Sequence, residues 1–329
     1  MGRRRTYGRQ RAISSNLTPQ DAEPHASETP LNWVLRLGIH TFTSGSLEKA
    51  ALRAGELGAQ TFQIFSASPR TWRARTPDPK QVALLRAARE RFNLHPLAIH
   101  ASYLINLASA DPLIRTKSID GFRGELQRAA VIGAEHLVIH PGSYRGQSVE
   151  EAIAGFAAGL RDASRDLRLN GLRVLLENTA GSGCQIGGKL EELRSIRELT
   201  LDLTELSVGY CLDTCHLFAA GFDISRAAGL RLAVGAIGKT LGFSNVYLIH
   251  ANDSKGALGS RTDRHTHIGA GHIGMNGFGL ILRHRAFRAK PFILETPVER
   301  QGDDRRNLDT LRSLAASRST TAPRLIKPR

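Results

Sequence analysis

Eight short apolar runs recur along the chain, each pair separated by enough residues for one helix. They lie at residues 35–42, 59–65, 97–104, 136–140, 174–177, 208–213, 246–250 and 292–295. Their length and near-continuous hydrophobicity suit strands buried on both faces. The stretches between them carry helix signals. Ser46 precedes an apolar stripe at Leu47, Ala51 and Ala54, with Gly58 beyond it. Asp78 and Pro79 offer an N-cap and a first-turn proline, and Leu190, Leu193 and Ile196 repeat on one helical face. Strands alternating with helices pair in parallel through crossovers, and eight such units close a (β/α)8 barrel. The expected fold is therefore α/β, a single TIM barrel with its active site at the C-terminal ends of the strands. An open doubly wound sheet also fits the alternation, but no Gly-x-Gly-x-x-Gly follows the first run to support it.

The 329 residues suffice for such a core, and 41% hydrophobic with 23% charged residues excludes wholesale disorder. No apolar run approaches the ~20 residues of a membrane helix, so no membrane partner is expected. The Arg-rich start lacks an apolar segment behind it and is not a secretory signal. Three cysteines make an odd count, which argues against a disulfide scaffold and for a reducing compartment. A bacterial cytoplasm is expected ahead of organelle transit, because serine enrichment in the leader is modest. Residues 1–30 read as a flexible basic leader, 31–314 as the barrel and 315–329 as a basic tail. Much of the net charge of +15 comes from residues 1–20 and 310–329, which carry five basic residues each and no acid. Such tails attract phosphates without sequence preference, or serve only as solvated, solubilising ends.

The chemistry gathers where the runs end. The third run ends near His100, and His140, Glu177, Asp213, His250 and Glu295 stand at the ends of the fourth to eighth. In a barrel these termini open onto one face. His216 follows Asp213 by three residues, and Asp263 and His265 form a D-x-H pair after the seventh run. Three carboxylates placed directly after apolar runs would repel one another unless a cation lay among them. Imidazoles with carboxylates suit Zn2+ in a hydrolytic site, and also Mn2+ or Fe2+. His40, ending the first run, reads equally as a residue behind the ligands or as a phosphate contact. His25, His95, His136 and His284 fall at leader, helix-end or helix positions and read as ordinary histidines. Cys211 reads as packing, and Cys215 has no base paired with it.

These residues resemble the endonuclease IV family of abasic-site DNA repair nucleases. The matching stretches are His100-Ala-Ser-Tyr-Leu-Ile-Asn-Leu, His140-Pro-Gly, Glu177-Asn-Thr-Ala-Gly, Leu212-Asp-Thr-Cys-His, His250-Ala-Asn-Asp-Ser-Lys, Asp263-Arg-His265 and Leu294-Glu-Thr-Pro, in order over residues 36–314. The resemblance implies a (β/α)8 barrel with three zinc ions per chain. One would be held by His100, His140 and Glu177. Glu177 would bridge to a second, completed by Asp213, His250 and Glu295. His216, Asp263 and His265 would hold the third. It implies hydrolysis 5′ to abasic sites, leaving a 3′-hydroxyl, with Glu177 spacing two metals and Glu295 orienting or deprotonating the nucleophile. Its partner would be double-stranded DNA with abasic or 3′-blocked damage, bound by a monomer. Tyr103 and Leu104 match the pair that wedges into damaged DNA, with Tyr103 reading alternatively as barrel packing, and Arg70, with Trp72 nearby, matches an Arg-bearing loop after the second strand. Ala270 departs from the pattern, standing where a charged residue is common. Two other readings fit the residues less fully: a metal-dependent sugar isomerase or epimerase, which has no use for a third metal, and a non-catalytic nucleic-acid binder.

Overall fold

A computed structural model describes residues 35–72 and 74–317; the expected leader, and the tail from residue 318, lie outside them. Eight parallel strands close the barrel: β1 (Leu37–His40), β2 (Thr61–Phe65), β3 (Leu97–His100), β4 (His136–Ile139), β5 (Arg173–Glu177), β6 (Ser207–Asp213), β7 (Val246–His250) and β10 (Phe292–Leu294). They pair in chain order, and β10 returns to β1 through Leu37 opposite Phe292. Two further strands, β8 (Asp253–Ser254) and β9 (His265–Thr266), follow β7 in sequence and form an antiparallel ribbon. Gly38 is required on β1, because a methyl group there would stand 1.9 Å from the Thr61 carbonyl oxygen.

Helices α1 (Leu47–Glu56), α2 (Pro79–Phe92), α3 (Pro112–Ile132), α4 (Val149–Ser164) and α5 (Leu190–Leu203) follow strands β1 to β5. The short α6 (Thr214–Ala219) and then α7 (Ala227–Thr240) follow β6, α8 (Gly274–Arg283) precedes β10, and α9 (Asp303–Ala316) follows it. Ser46, Asp78 and Asp111 cap α1, α2 and α3 by accepting backbone N–H bonds. Leu190, Leu193 and Ile196 are buried on one face of α5, as their spacing predicts.

The interior follows from the two-residue alternation of strands. Ile99, Ile139, Leu176, Leu212, Ile249 and Leu294 belong to the main core. Ala98, Val138, Leu175, Cys211, Leu248 and Ile293 form a separate buried cluster, one residue from each of six strands. This second set fills the barrel bore. Each member lies two positions before one of the six strand-end candidates, so those side chains share its inward direction and stack above it at the mouth. Cys211 is thus packing.

Several boundaries differ from expectation. β3 stops at His100, leaving Tyr103 and Leu104 in the following loop. Apolar residues continue there, but Tyr103 is 65% exposed, which also removes the reading of it as barrel packing. His136 opens β4, where the fourth run begins, and so does not stand among the leader, helix-end and helix histidines. Helix α9 continues to Ala316, two residues past the expected edge of the barrel.

Candidate metal centre

All nine ligand candidates come together at the C-terminal mouth, in three groups whose donor atoms lie within 4.8 Å of one another. His100, His140 and Glu177 form one; Glu177, Asp213, His250 and Glu295 the next; His216, Asp263 and His265 the third. Glu177 belongs to two of them. Its Oε2 stands 3.2 Å from Nε2 of His100 and 3.4 Å from Nε2 of His140. Its Oε1 stands 3.0 Å from Nδ1 of His250 and 3.4 Å from Nδ1 of His216. Asp263, on the loop between β8 and β9, joins His216 at 3.1 Å and His265 at 3.3 Å through Oδ1.

Local structure aims these side chains. Asp213 ends β6 and caps α6, its Oδ1 accepting from His216 N at 2.8 Å, which sets His216 one turn away on the same side. Asp253, fully buried, accepts from the backbone N–H groups of Gly269, Gly271, Ile273 and Gly274 and so folds the loop after β9 back onto the ribbon that carries His265.

Four of the five imidazoles commit one nitrogen elsewhere and present the other to a carboxylate. Nδ1 of His100 lies 2.8 Å from the Ala101 carbonyl, Nδ1 of His216 2.9 Å from that of Asn178, and Nδ1 of His265 3.3 Å from that of Glu295. Nε2 of His250 lies 2.9 Å from Oε1 of Gln63. A second partner of this kind fixes the tautomer and leaves a lone pair for a cation. Nε2 of His216 and of His265 are buried without a hydrogen-bond partner. Orphaned imidazole nitrogens facing carboxylates fit a metal ion between them, and the donor set suits one.

The electrostatics agree. Burial alone would raise the Glu177 carboxyl, but the charges of His250 and His140 and hydrogen bonds from His100 and His216 hold it well below the usual carboxylate range. Asp263 and Glu295 are held low in the same way, against burial, by His216 with His265 and by His250 with His40. Burial opposes charge on His265, yet Asp213 and Asp263 push it up to about 9. In His140 burial prevails and lowers it to about 4.

Several contributors carry no ligand signal in the sequence. Gln63 on β2 donates through Nε2 to Glu295 Oε1 at 2.6 Å while meeting His250 through its oxygen. Asn178 and Asn252 brace Asp213, at 2.7 Å to its backbone N and 2.6 Å to its Oδ2. His40 sits behind the centre, Nδ1 3.7 Å from Glu295 Oε1 and 3.0 Å from Gln63 Nε2. Cys215 lies within ligand distance of Asp213 and His265. Its thiol, pushed up to about 12 by burial, points to the Arg264 carbonyl at 3.7 Å.

Arg70 and Trp72 lie exposed on the loop after β2; the exposed Tyr103 and the half-buried Leu104 lie on the loop after β3. The Tyr103 ring is 5.3 Å from that of His100 and 6.3 Å from that of His140. Beside it opens a cleft of about 320 Å³, bounded by His140, Asn106, Gln185 and Asp263.

A closed barrel with histidines and carboxylates clustered at its mouth is a TIM barrel with a candidate metal centre, and residues 51–318 match the family described as xylose isomerase-like TIM barrel. Within that class, the chain belongs to the endonuclease IV family. It is 68% identical over 284 residues to the probable endonuclease 4 of Solibacter usitatus, covering 86% of this chain and 98% of that protein. The probable endonuclease 4 of Methanoculleus marisnigri is 40% identical, with 85% and 99% covered. The crystal structure of endonuclease IV from Thermus thermophilus superposes with a TM-score of 0.74 at 36% identity, over 85% of this chain and 98% of that one.

Proposed function

We propose that this chain is a DNA repair endonuclease that hydrolyses the phosphodiester 5′ to an abasic site, leaving a 3′-hydroxyl, at a centre of three zinc ions. The observation that carries this reading is Glu177, a buried carboxylate ringed by four imidazoles and shared by two ligand groups. His100, His140 and Glu177 would hold one ion, Glu177, Asp213, His250 and Glu295 a second, and His216, Asp263 and His265 a third. Bound there, the ions would supply Lewis acidity that activates water and neutralises charge developing on the phosphoryl and leaving oxygens.

The chain's own residues divide the remaining work. Glu177, with a side chain 1% exposed, is sealed from substrate and spaces the ligands. Glu295, 14% exposed, is more open than Glu177 or Asp213. Gln63 ties down its Oε1 and leaves Oε2 beside His250, placed to orient the attacking water and accept its proton. Tyr103 and Leu104 fill the gap left by a missing base, with the Phe65 ring edge-on to Tyr103 at 5.5 Å as backing. An abasic sugar has no base pair to break and leaves the stack cheaply, so selection rests on deformability rather than base readout. Arg70 and Trp72 approach the backbone from the adjoining loop. All nine ligands come from one chain, which favours a working monomer, and the free Cys184, Cys211 and Cys215 suit a reducing cytoplasm.

The test is nicking of a duplex containing one tetrahydrofuran site. Glu177→Ala should abolish it with the fold intact, and equal nicking by both proteins would remove the bridge from the mechanism. Elemental analysis separates the isomerase reading: near three zinc ions per chain supports the nuclease, while one or two supports a sugar isomerase or epimerase.

A further inference from the structure

We infer that Ser102 and Ser66 are positioning residues that fasten the loop after β2 to the loop after β3, so that Arg70, Trp72, Tyr103 and Leu104 meet DNA as one rigid unit. This rests on the functional reading above. The Ser102 hydroxyl donates to the Pro69 carbonyl at 2.7 Å and accepts from Leu104 N at 3.3 Å. One hydroxyl thus joins the neighbour of Arg70 to the backbone of Leu104. At the root of the first loop, Ser66 repeats the arrangement. Its Oγ donates to Glu125 Oε2 at 2.5 Å and accepts from Arg128 Nε at 2.7 Å. Glu125 and Arg128 lie one turn apart on α3, pair at 3.1 Å, and have side chains only 6% and 9% exposed.

A buried ion pair adds little stability over an apolar replacement, but this one holds the start of the Arg70 loop against α3. Farther along, Trp72 rests on the same helix. A methyl group at Gly121 would stand 3.5 Å from Trp72 Cε3 and 3.6 Å from Ile105 Cγ1. Helix α3 therefore contacts one loop at its root and again at Trp72, and directly follows the other in sequence. Neither serine belongs to a ligand group.

Ser66→Ala would take a hydrogen bond from each of two buried charges and endanger the fold, so Ser102→Ala carries the test. Its KM for the tetrahydrofuran duplex should rise about fivefold, the effect of one lost neutral hydrogen bond. Turnover of bis(p-nitrophenyl) phosphate, a diester that needs the centre but neither loop, should stay unchanged. Trp72 emission, read without DNA in a Trp33→Phe background, should shift red, and Ser102→Thr should restore both KM and emission. A parallel loss on both substrates would mark Ser102 as merely structural and overturn the proposal, as would unchanged KM and emission. If the wild type leaves the duplex uncut, the functional reading fails on its own. Emission then decides the linkage: a red shift supports it and an unmoved spectrum overturns it.

Discussion

Asn252 Nδ2 donates to Asp213 Oδ2 at 2.6 Å, while its Oδ1 accepts from the backbone N of Glu295 at 2.9 Å. One amide therefore ties the end of β6 to the residue that follows β10, across β7. Asn252→Ala should free both carboxylates and lower metal retention or nicking by about 10- to 100-fold, the usual cost of losing such a partner. Zinc content after dialysis, read beside circular dichroism, checks this; full retention would show that Asp213 needs no brace.

Removing metal should cost stability as well as activity. Chelation leaves Glu177, Asp213 and Glu295 facing one another at the mouth with only imidazoles between them. A melting temperature about 10 °C or more lower is expected. Nicking should vanish and return with added Zn2+. An unchanged melting curve would mean that the centre contributes nothing to holding the barrel.

Tyr103 is an outward group, so its removal should separate recognition from folding. Tyr103→Ala should leave the melting temperature within about 1–2 °C, as surface substitutions do. The KM for abasic duplex should rise by about 5- to 100-fold, matching the loss of one aromatic stacking contact. A large fall in stability would return Tyr103 to a packing role.

His136 gives a pH signature away from the centre. Burial, aided by the charge of Arg173 and opposed by Glu135, lowers its imidazole to about 4. The unfolded chain binds this proton near 6.5 and the native chain does not, so stability is intact above 6.5 and falls as pH drops toward 4. The loss amounts to about 2–3 kcal/mol at the acid end. His136→Phe should lose less stability than wild type between about pH 7 and 4.5 in denaturant titrations. Equal losses would assign the acid sensitivity elsewhere.

The barrel is legible because its strands are buried on both faces and six of them stop at or beside a residue that cannot be buried unpaired. His100, Glu177, Asp213 and His250 end strands, while His140 and Glu295 stand one position beyond. Gln63 escapes a motif reading although it interrupts an otherwise apolar run in Thr61–Phe65; a polar residue at an inward position is the available signal. Asn178 and Asn252 flank ligands in sequence, but an amide there reads equally as a turn residue. Ser66 and Ser102 are silent for a different reason: a hydroxyl's partners depend on helix α3 and on Pro69, dozens of positions away or across a loop. The third run reads too long because hydrophobicity reports a residue's solubility, not its direction, and Tyr103 faces water.

The bore residues and the candidate ligands above them sit on the same side of the same pleat, two steps apart. Inserting a single amino acid between Leu175 and Glu177, or at the equivalent point in another strand, would turn a carboxylate or imidazole under the helical shell and drive an aliphatic side chain into the mouth. Length changes in this protein are therefore tolerable only in its connecting loops, and any redesign of the reaction must exchange side chains while keeping the count of every strand.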